Sequence, residues 1–360
     1  MVDYWEIMAT ELHFLPRLFR AVSAAALVFA LLPSVGSAAS GRDGGSWSVE
    51  PISEFPRKLL ADPQKEGLSG IAGIGGDEYY VVNDKFGLLH KVEIGIDRNT
   101  GVITNFERKT TVELEGRIDL EAVVWDPANK VVWVVDERDC SIRSYDPDTG
   151  KQAGVVKIPE VYHNSSRVVN ASFESLAMES NGLFMWTCNE AALRKDGGEA
   201  VKDRGSDIRI QRFARKDFSS PWVPSGQWCY QTEKNASISL ANKRVCGVAE
   251  LLAMPDGKIV ALERRLNVAK WRLPTLDLGL YEIDFSNATD VSNVDRLCDA
   301  EFVRVSKKRL YSANTGFGVY EGICFGPELN DGTKTLILIS DGDEGAASRL
   351  MTMRLKKTAK

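Results

Sequence analysis

Leu120-Glu121-Ala122-Val123-Val124-Trp125, a turn at Asp126-Pro127-Ala128-Asn129, and Val131-Val132-Trp133-Val134-Val135-Asp136-Glu137 read together as one β-hairpin with acids at its open end. The two runs are β-branched, apolar or aromatic, and the turn between them is rich in Asp, Pro and Asn, as strand and turn chemistry require. Ser141–Tyr145 alternates as a third strand, and Gln152–Ile158 supplies a fourth.

The same step recurs along the chain. It reads Leu68-Ser69-Gly70-Ile71, Leu120-Glu121-Ala122-Val123, Phe173-Glu174-Ser175-Leu176, Ala249-Glu250-Leu251-Leu252 and Tyr320-Glu321-Gly322-Ile323. Second runs end at Asn83-Asp84, Asp136-Glu137, Asn189-Glu190, Glu263 and Ser340-Asp341. Turns fall at Gly75-Gly76-Asp77, Ser180-Asn181-Gly182, Pro255-Asp256-Gly257 and Asn330-Asp331-Gly332. Third strands follow at Leu88–Ile94, Ile208–Phe213, Leu280–Phe285 and Arg349–Leu355. The opening steps lie 52, 53, 76 and 71 residues apart, counted from Leu68, Leu120, Phe173, Ala249 and Tyr320.

Several short strands per unit at such a period indicate propeller blades. The expected fold is all-β: a single β-propeller over residues 47–356, of five or six four-stranded blades. Six fits the longer gaps, with an additional blade near Ala300–Ser312. Trp47–Ser53 is expected to help close the ring. No long amphipathic helix separates the strands, which excludes an α/β fold.

Ahead of the repeats, Arg17 and Arg20 precede an apolar run from Ala21 to Leu32 and the small residues Gly36-Ser37-Ala38-Ala39. This is the pattern of a secretory signal peptide over residues 1–38, and the run is short for a membrane span. An exported protein without a stable anchor follows, periplasmic or extracellular. The formal charge of −5, with scattered Lys and Arg, excludes an electrostatic nucleic-acid surface. Six cysteines, Cys140, Cys188, Cys229, Cys246, Cys298 and Cys324, permit up to three disulfides in an oxidising compartment. Cys229 with Cys246 is the favoured pair, and Cys188 and Cys324 suit buried thiols. Sequons occur at Asn164, Asn170, Asn235 and Asn287.

In an antiparallel hairpin the start of the first strand and the end of the second lie at one end. The acids of each unit are therefore expected to surround one opening of the propeller. Glu121, Asp136, Glu137, Glu174, Glu250, Glu321 and Asp341 are the candidate metal ligands. Hard carboxylate oxygens suit Ca²⁺ first and Mg²⁺ second. For Glu121, Glu174, Glu250 and Glu321 the alternative is architectural: a buried acid can pin a neighbouring strand through its N–H groups. Lys85, Arg138 and Arg264 adjoin the acids and are candidate phosphate ligands, or else structural ion-pair partners. Insertions over residues 191–207 and 264–278 bring Arg194, Lys195, Arg265, Lys270, Trp271 and Arg272 to the same face. No HExxH, GxSxG, SxxK or phosphate loop is present. His90 and His163 lie in no motif.

The segments Gly67-Leu68-Ser69-Gly70-Ile71, Asp119-Leu120-Glu121-Ala122, Phe173-Glu174-Ser175-Leu176-Ala177, Glu263-Arg264 and Tyr320-Glu321-Gly322-Ile323 resemble the phytase-like family, also described as having esterase-like activity of phytase. The tail Phe325-Gly326-Pro327, Asp331-Gly332 and Leu336 to Ser340-Asp341 is similar to its closing repeat. The resemblance spans roughly residues 60–356. It implies a secreted propeller related to calcium-dependent phytases, hydrolysing phosphate esters. The first unit departs from the pattern, with Ser69 in place of glutamate.

The leading expectation is thus a Ca²⁺-dependent phosphoester hydrolase on a small-molecule phosphate ester, with Glu190 or Glu263 orienting the attacking water. Two alternatives stand beside it: a non-catalytic ligand- or partner-binding propeller with structural calcium, and a lactonase-type ester hydrolase. Oligomeric state is left open.

Overall fold

The computed structural model describes residues 47–55, 67–116, 119–163, 172–236, 246–268, 274–316, 318–341 and 348–357. The expected signal peptide, the Asn164 and Asn170 sequons, and Lys270, Trp271 and Arg272 lie outside the described residues.

Among the described residues the strands form five four-stranded antiparallel sheets. An N-terminal strand, β1 (Trp47–Phe55), precedes them. Blade 1 is β2 (Leu68–Gly75), β3 (Glu78–Asn83), β4 (Leu88–Ile96) and β5 (Ile103–Glu113). Blade 2 is β6 (Leu120–Asp126), β7 (Val131–Asp136), β8 (Ser141–Tyr145) and β9 (Gln152–Val155). Blade 3 is β10 (Ala177–Met178), β11 (Phe184–Cys188), β12 (Asp207–Ala214) and β13 (Val223–Gln231). Blade 4 is β14 (Cys246–Ala253), β15 (Ile259–Asn267), β16 (Thr275–Asp284) and β17 (Ser306–Gly316). Blade 5 is β18 (Val319–Glu328), β19 (Lys334–Asp341) and β20 (Leu350–Lys357), completed by β1.

Of the five or six blades expected, five are present among the described residues. The segment expected to start a further blade is β17, the outer strand of blade 4, and it pairs with β16 along its length. The extra length between units goes instead into the connections 191–206 and 285–305.

Closure is by pairing of the two chain ends. β1 runs antiparallel to β20, with Trp47 opposite Lys357 and Phe55 opposite Leu350. Tyr320 Oη donates to Glu54 at 2.6 Å, and Trp47 Nε1 donates to Asp256 of blade 4 at 3.0 Å. The first strands pack in a closed cycle: β2 on β6, β6 on β10, β10 on β14, β14 on β18 and β18 on β2. That cycle needs small residues. A Cβ on Gly70 would fall 2.8 Å from Ala122 Cα, and one on Gly322 would fall 2.5 Å from the Ser69 carbonyl oxygen.

The core is divided among the blade interfaces, which explains strands that are apolar on both faces. Val82, Leu89, Val123 and Val134 fill the space between blades 1 and 2. Trp133, Ile142, Met185 and Phe213 do so for blades 2 and 3, and Ile208, Ile210, Leu251 and Ala261 for blades 3 and 4. Leu262, Leu280, Leu338 and Met353 join blades 4 and 5, and Val81, Ile94, Ile337 and Ile339 join blades 5 and 1. Each blade is therefore stabilised on two sides by its neighbours. Removing one would expose apolar surface on two others.

The expected Cys229–Cys246 disulfide is not formed, and all six cysteines are free thiols. Cys229 packs with Val291 and Leu297 beneath the 285–305 connection. Cys246 opens the next blade and donates to the Glu233 carbonyl at 3.4 Å. Cys188 and Cys324 are buried thiols. His90 is also buried, with Nδ1 2.8 Å from Thr111 Oγ1.

Candidate functional site

One register governs all five hairpins. Leu68 faces Asn83, Leu120 faces Asp136, Phe173 faces Asn189, Val248 faces Glu263 and Tyr320 faces Ser340. Just beyond each of these pairs in blades 1, 2, 4 and 5 the pairing shifts by one residue in the first strand, a β-bulge that re-aims the side chains next to it. The residues that follow the aligned pairs are equivalent from blade to blade. On the first strands they are Ser69, Glu121, Glu174, Ala249 and Glu321; after the second strands they are Asp84, Glu137, Glu190, Arg264 and Asp341.

This alignment moves blade 4 out of step with the sequence repeat. Ala249, not Glu250, is the counterpart of Glu121. Glu250 matches the small residues Gly70, Ala122, Ser175 and Gly322, and a shift of one residue turns a side chain to the other face. Its carboxylate accepts the Leu176 N–H of blade 3 at 2.7 Å and the Leu251 N–H at 2.9 Å. Glu250 thus pins blade 4 to blade 3 and stands outside the acid ring. Glu250→Gln, which keeps an acceptor oxygen, should unfold within about 1 kcal/mol of wild type in urea. Glu250→Ala, which strands the Leu176 N–H, should cost about 1–3 kcal/mol. Equal losses for the two variants would show that the charge itself matters.

Glu263 is also turned away. It accepts from Tyr230 Oη, from Lys307 Nζ at 2.5 Å and from the Glu233 N–H at 2.9 Å, all on the outer side of β15. Asp136 is committed to Arg143 at 3.1 Å and to the Arg138 side chain at 3.4 Å. Lys85 and Arg138 stand exposed at the rim beside Asp84 and Glu137. Arg194 is exposed, Lys195 pairs with Asp295 at 2.5 Å, and Arg265 pairs with Asp277 at 2.6 Å.

The remaining acids act on one another. Glu121 is driven far above the usual carboxylate range by burial and by the charges of Glu137, Glu321, Asp84 and Asp119. Glu174 is raised likewise by burial and by Glu121, Glu137 and Glu190, and it shares a hydrogen bond with Glu137. Burial pushes Glu137 up to about 7, against the Ser172 N–H it accepts at 3.0 Å. Burial and the charges of Asp341 and Glu321 push Asp84 up to about 8. Burial raises Glu321 to about 8 despite Arg264. Asp84 and Asp119 belong to this group although neither is among the candidate ligands of the repeat. Asp84 was legible at the end of the first unit's second run, and Asp119 beside Glu121.

Arg264, in the place where the other blades carry an acid, enters the ring from blade 4. Its Nε donates to Glu190 at 3.0 Å, Nη2 lies 2.9 Å from the same carboxylate, and Nη1 binds Glu321 of blade 5. Against the cost of burial, Glu190, Glu321 and Glu174 hold the guanidinium protonated. Glu121, Glu137 and Glu174, with Asp84, complete the ring.

The donor set fits Ca²⁺ in kind: carboxylate oxygens, no thiolate or imidazole, and one Asp84 oxygen that is buried without a hydrogen-bond partner. Among the described residues, no three or more His, Cys, Asp or Glu side chains are drawn into an assembled metal cage. Two shallow depressions, of about 180 and 230 Å³, lie elsewhere; one includes Asp136 and Arg143, the other Lys195 and Asp295.

Raised carboxyl pKa values set the sign of a stability change in the cation-free protein. Folded Asp84, Glu137 and Glu321 hold protons to about pH 7–8, whereas the unfolded chain releases them near pH 4. The unfolded state then binds fewer protons, so stability falls as pH rises between these limits. Each group titrating alone contributes at most about 1.4 kcal/mol per pH unit, less where solvent screens it. Melting in chelator should show Tm falling from about pH 5 to 8; a flat or rising profile would contradict the acid cluster.

Similarity to solved structures is low. Aldose sugar dehydrogenase from Streptomyces coelicolor, in its PQQ-bound form, is 11% identical, with 86% of this chain and 99% of that chain covered and a TM-score of 0.42. Glutaminyl cyclase from Myxococcus xanthus is 11% identical over 87% and 98%, with a TM-score of 0.38. Hydrazine synthase from Kuenenia stuttgartiensis is 11% identical with a TM-score of 0.37; 76% of this chain is covered, and the chain spans 64% of that one. At this distance they inform neither substrate nor mechanism. No curated protein sequence matches this chain. A family model does match, over residues 63–344, and that span takes in all five first strands and every member of the carboxylate ring. The chain therefore belongs to the Phytase-like family, whose description is esterase-like activity of phytase.

Proposed function

We propose that this is an exported, Ca²⁺-dependent phosphoester hydrolase that works at the carboxylate ring of its propeller. The observation that carries the reading is the meeting of acids from blades 1, 2, 3 and 5 at one opening, each with its pKa raised by the charge of neighbouring acids. Buried carboxylates in mutual repulsion either hold protons or accept a cation. Glu121, Glu137 and Glu174, with Asp84, would hold Ca²⁺. When bound, the ion supplies charge neutralisation at phosphoryl oxygens and a lowered pKa for water.

The chain's own residues do the rest. Lys85 and Arg138, exposed at the rim, would take phosphate oxygens as the ester enters. Arg264 would turn its remaining N–H groups to the equatorial oxygens as charge develops there. Glu190, fixed by Arg264 from the side, would accept a hydrogen bond from the attacking water and orient it. Glu263, held by Tyr230 and Lys307, has no part in this scheme.

Purified protein should hydrolyse phytate or p-nitrophenyl phosphate, lose activity in chelator and regain it with Ca²⁺. No turnover across phosphate esters and divalent ions would reject the proposal. A chelator-sensitive Tm without turnover would favour a binding propeller with structural calcium. Arg264 already bridging blades 4, 3 and 5 through Glu190 and Glu321 gives that second reading a physical basis. Cleavage of lactones or carboxylic esters with no action on phosphates would mark the site as lactonase-type.

A further inference from the structure

We infer that Ser69 is a further ligand of the cation in the ring: its Oγ and Asp84 Oδ1, from one hairpin, are blade 1's contribution to the site. The choice of ion rests on the proposed reading of the ring. Register places the serine. Leu68 pairs with Asn83 and Ile71 with Val81, as Leu120 pairs with Asp136 and Val123 with Val134. Ser69 therefore fills the bulge position that Glu121 fills in blade 2, and the shared bulge aims the two side chains alike. The first strand of blade 1 packs between those of blades 2 and 5, so Ser69 stands between Glu121 and Glu321 in the ring. Glu121 feels the charge of Glu321 across that position.

Burial then singles it out. Ser69 is 1% exposed, and its Oγ has no hydrogen-bond partner. A buried hydroxyl without a partner destabilises a fold, and native structures rarely keep one. This propeller needs no hydroxyl there, since blade 4 carries the buried Ala249 at the same position. Asp84 Oδ1 is likewise buried without a hydrogen-bond partner. The chain makes room for it at Gly67, whose φ of 82° suits glycine. The Gly67 carbonyl accepts the Asp84 N–H at 2.9 Å, and a Cβ on Gly67 would fall 1.8 Å from Asp84 Oδ1. Two open oxygens thus end the hairpin of blade 1. Both are hard donors of the kind Ca²⁺ gathers. The hydroxyl adds a ligand without adding another negative charge to acids that already repel one another.

Titration calorimetry of chelator-stripped protein with CaCl₂, paired with melting in chelator, tests this on Ser69→Ala. The variant should bind Ca²⁺ about tenfold more weakly than wild type. In chelator it should melt no lower, because it loses a ligand but no hydrogen bond. Tb³⁺ in place of Ca²⁺ reads the coordination itself: luminescence lifetimes in H₂O and D₂O should show about one more bound water in the variant, taking the place of Oγ. Unchanged Ca²⁺ affinity, or an unchanged water count, overturns the inference. A Tm in chelator that falls together with the affinity also overturns it, since that marks a hydroxyl serving the fold. Wild type that binds Ca²⁺ through Ser69 without hydrolysing any ester removes the catalytic proposal and leaves this inference standing. Ca²⁺-dependent hydrolysis with unchanged affinity in Ser69→Ala does the reverse, and wild type that takes up neither ion overturns both.

Discussion

A Glu121→Gln/Glu174→Gln double variant should fold, melt at a higher temperature than wild type in chelator, and lose about a thousandfold in Ca²⁺-dependent phosphatase turnover. The two effects have one origin. Each glutamate is buried or half-buried near other carboxylates, and each is raised far above its ordinary pKa by burial and then by its neighbours' charges. Glutamine has nearly the same shape and does not need to be ionised, so the repulsion is removed at little packing cost. The negative charge, and one of the two oxygens proposed to hold the cation on each side chain, are removed with it. A factor of about a thousand in rate corresponds to roughly 4 kcal/mol of lost transition-state stabilisation, which is the scale a metal ion supplies. Thermal melts in chelator and steady-state kinetics with Ca²⁺ check both halves. If the variant melts lower and keeps its activity, these glutamates are architectural.

Arg209→Ala should destabilise the propeller by about 3–5 kcal/mol, the largest loss expected from a single substitution outside the ring. Arg209 lies on β12 and is 1% exposed. Its guanidinium binds Asp196 at 2.6 and 2.7 Å, Gln227 at 2.6 Å and the Asp295 carbonyl at 3.1 Å. Asp196 in turn accepts the Leu297 N–H at 2.9 Å. One buried cation therefore ties the 191–206 and 285–305 connections to blade 3. Truncation leaves Asp196 charged and buried without its partner, which costs more than the pair contributes when intact. Urea unfolding gives the loss, and amide exchange should quicken first in those two connections. A cost under about 1 kcal/mol would mean that water or another base replaces the guanidinium. Arg209→Met/Asp196→Leu should recover much of the stability, because apolar replacement of both partners leaves no stranded charge.

The propeller was legible because its strands carry their own punctuation. Glu121 through Glu137 shows two β-branched runs and a turn, and the same grammar from Leu68, Phe173, Ala249 and Tyr320 located the inner hairpins. Blade number was less legible. The choice between five and six blades stayed open because the long spacings near Ala300–Ser312 have room for hidden strands, whereas they hold the 191–206 and 285–305 connections. The carboxylate ring was visible in outline through Glu121, Glu137, Glu174, Glu321 and Asp341. Its membership in blade 4 was not. Ala249-Glu250 matches the repeat by eye, but pairing of Val248 with Glu263 moves it by one residue, and only the register reveals that. The same shift places Arg264 in an acid's position and turns Glu263 toward Lys307. A disulfide between Cys229 and Cys246 was a reading of spacing alone, and the two thiols belong to different blades with different neighbours.

Calcium titration of the stripped wild-type protein by calorimetry, at about pH 6.5 in two buffers of different ionisation enthalpy, tests the ring most directly. Carboxyls that share protons must release them to coordinate an ion. The expected result is saturable binding with release of on the order of one proton per ion, abolished in the Glu121→Gln/Glu174→Gln variant. No binding, or binding of equal strength and proton stoichiometry in that variant, would contradict a cation site built from the propeller's converging acids.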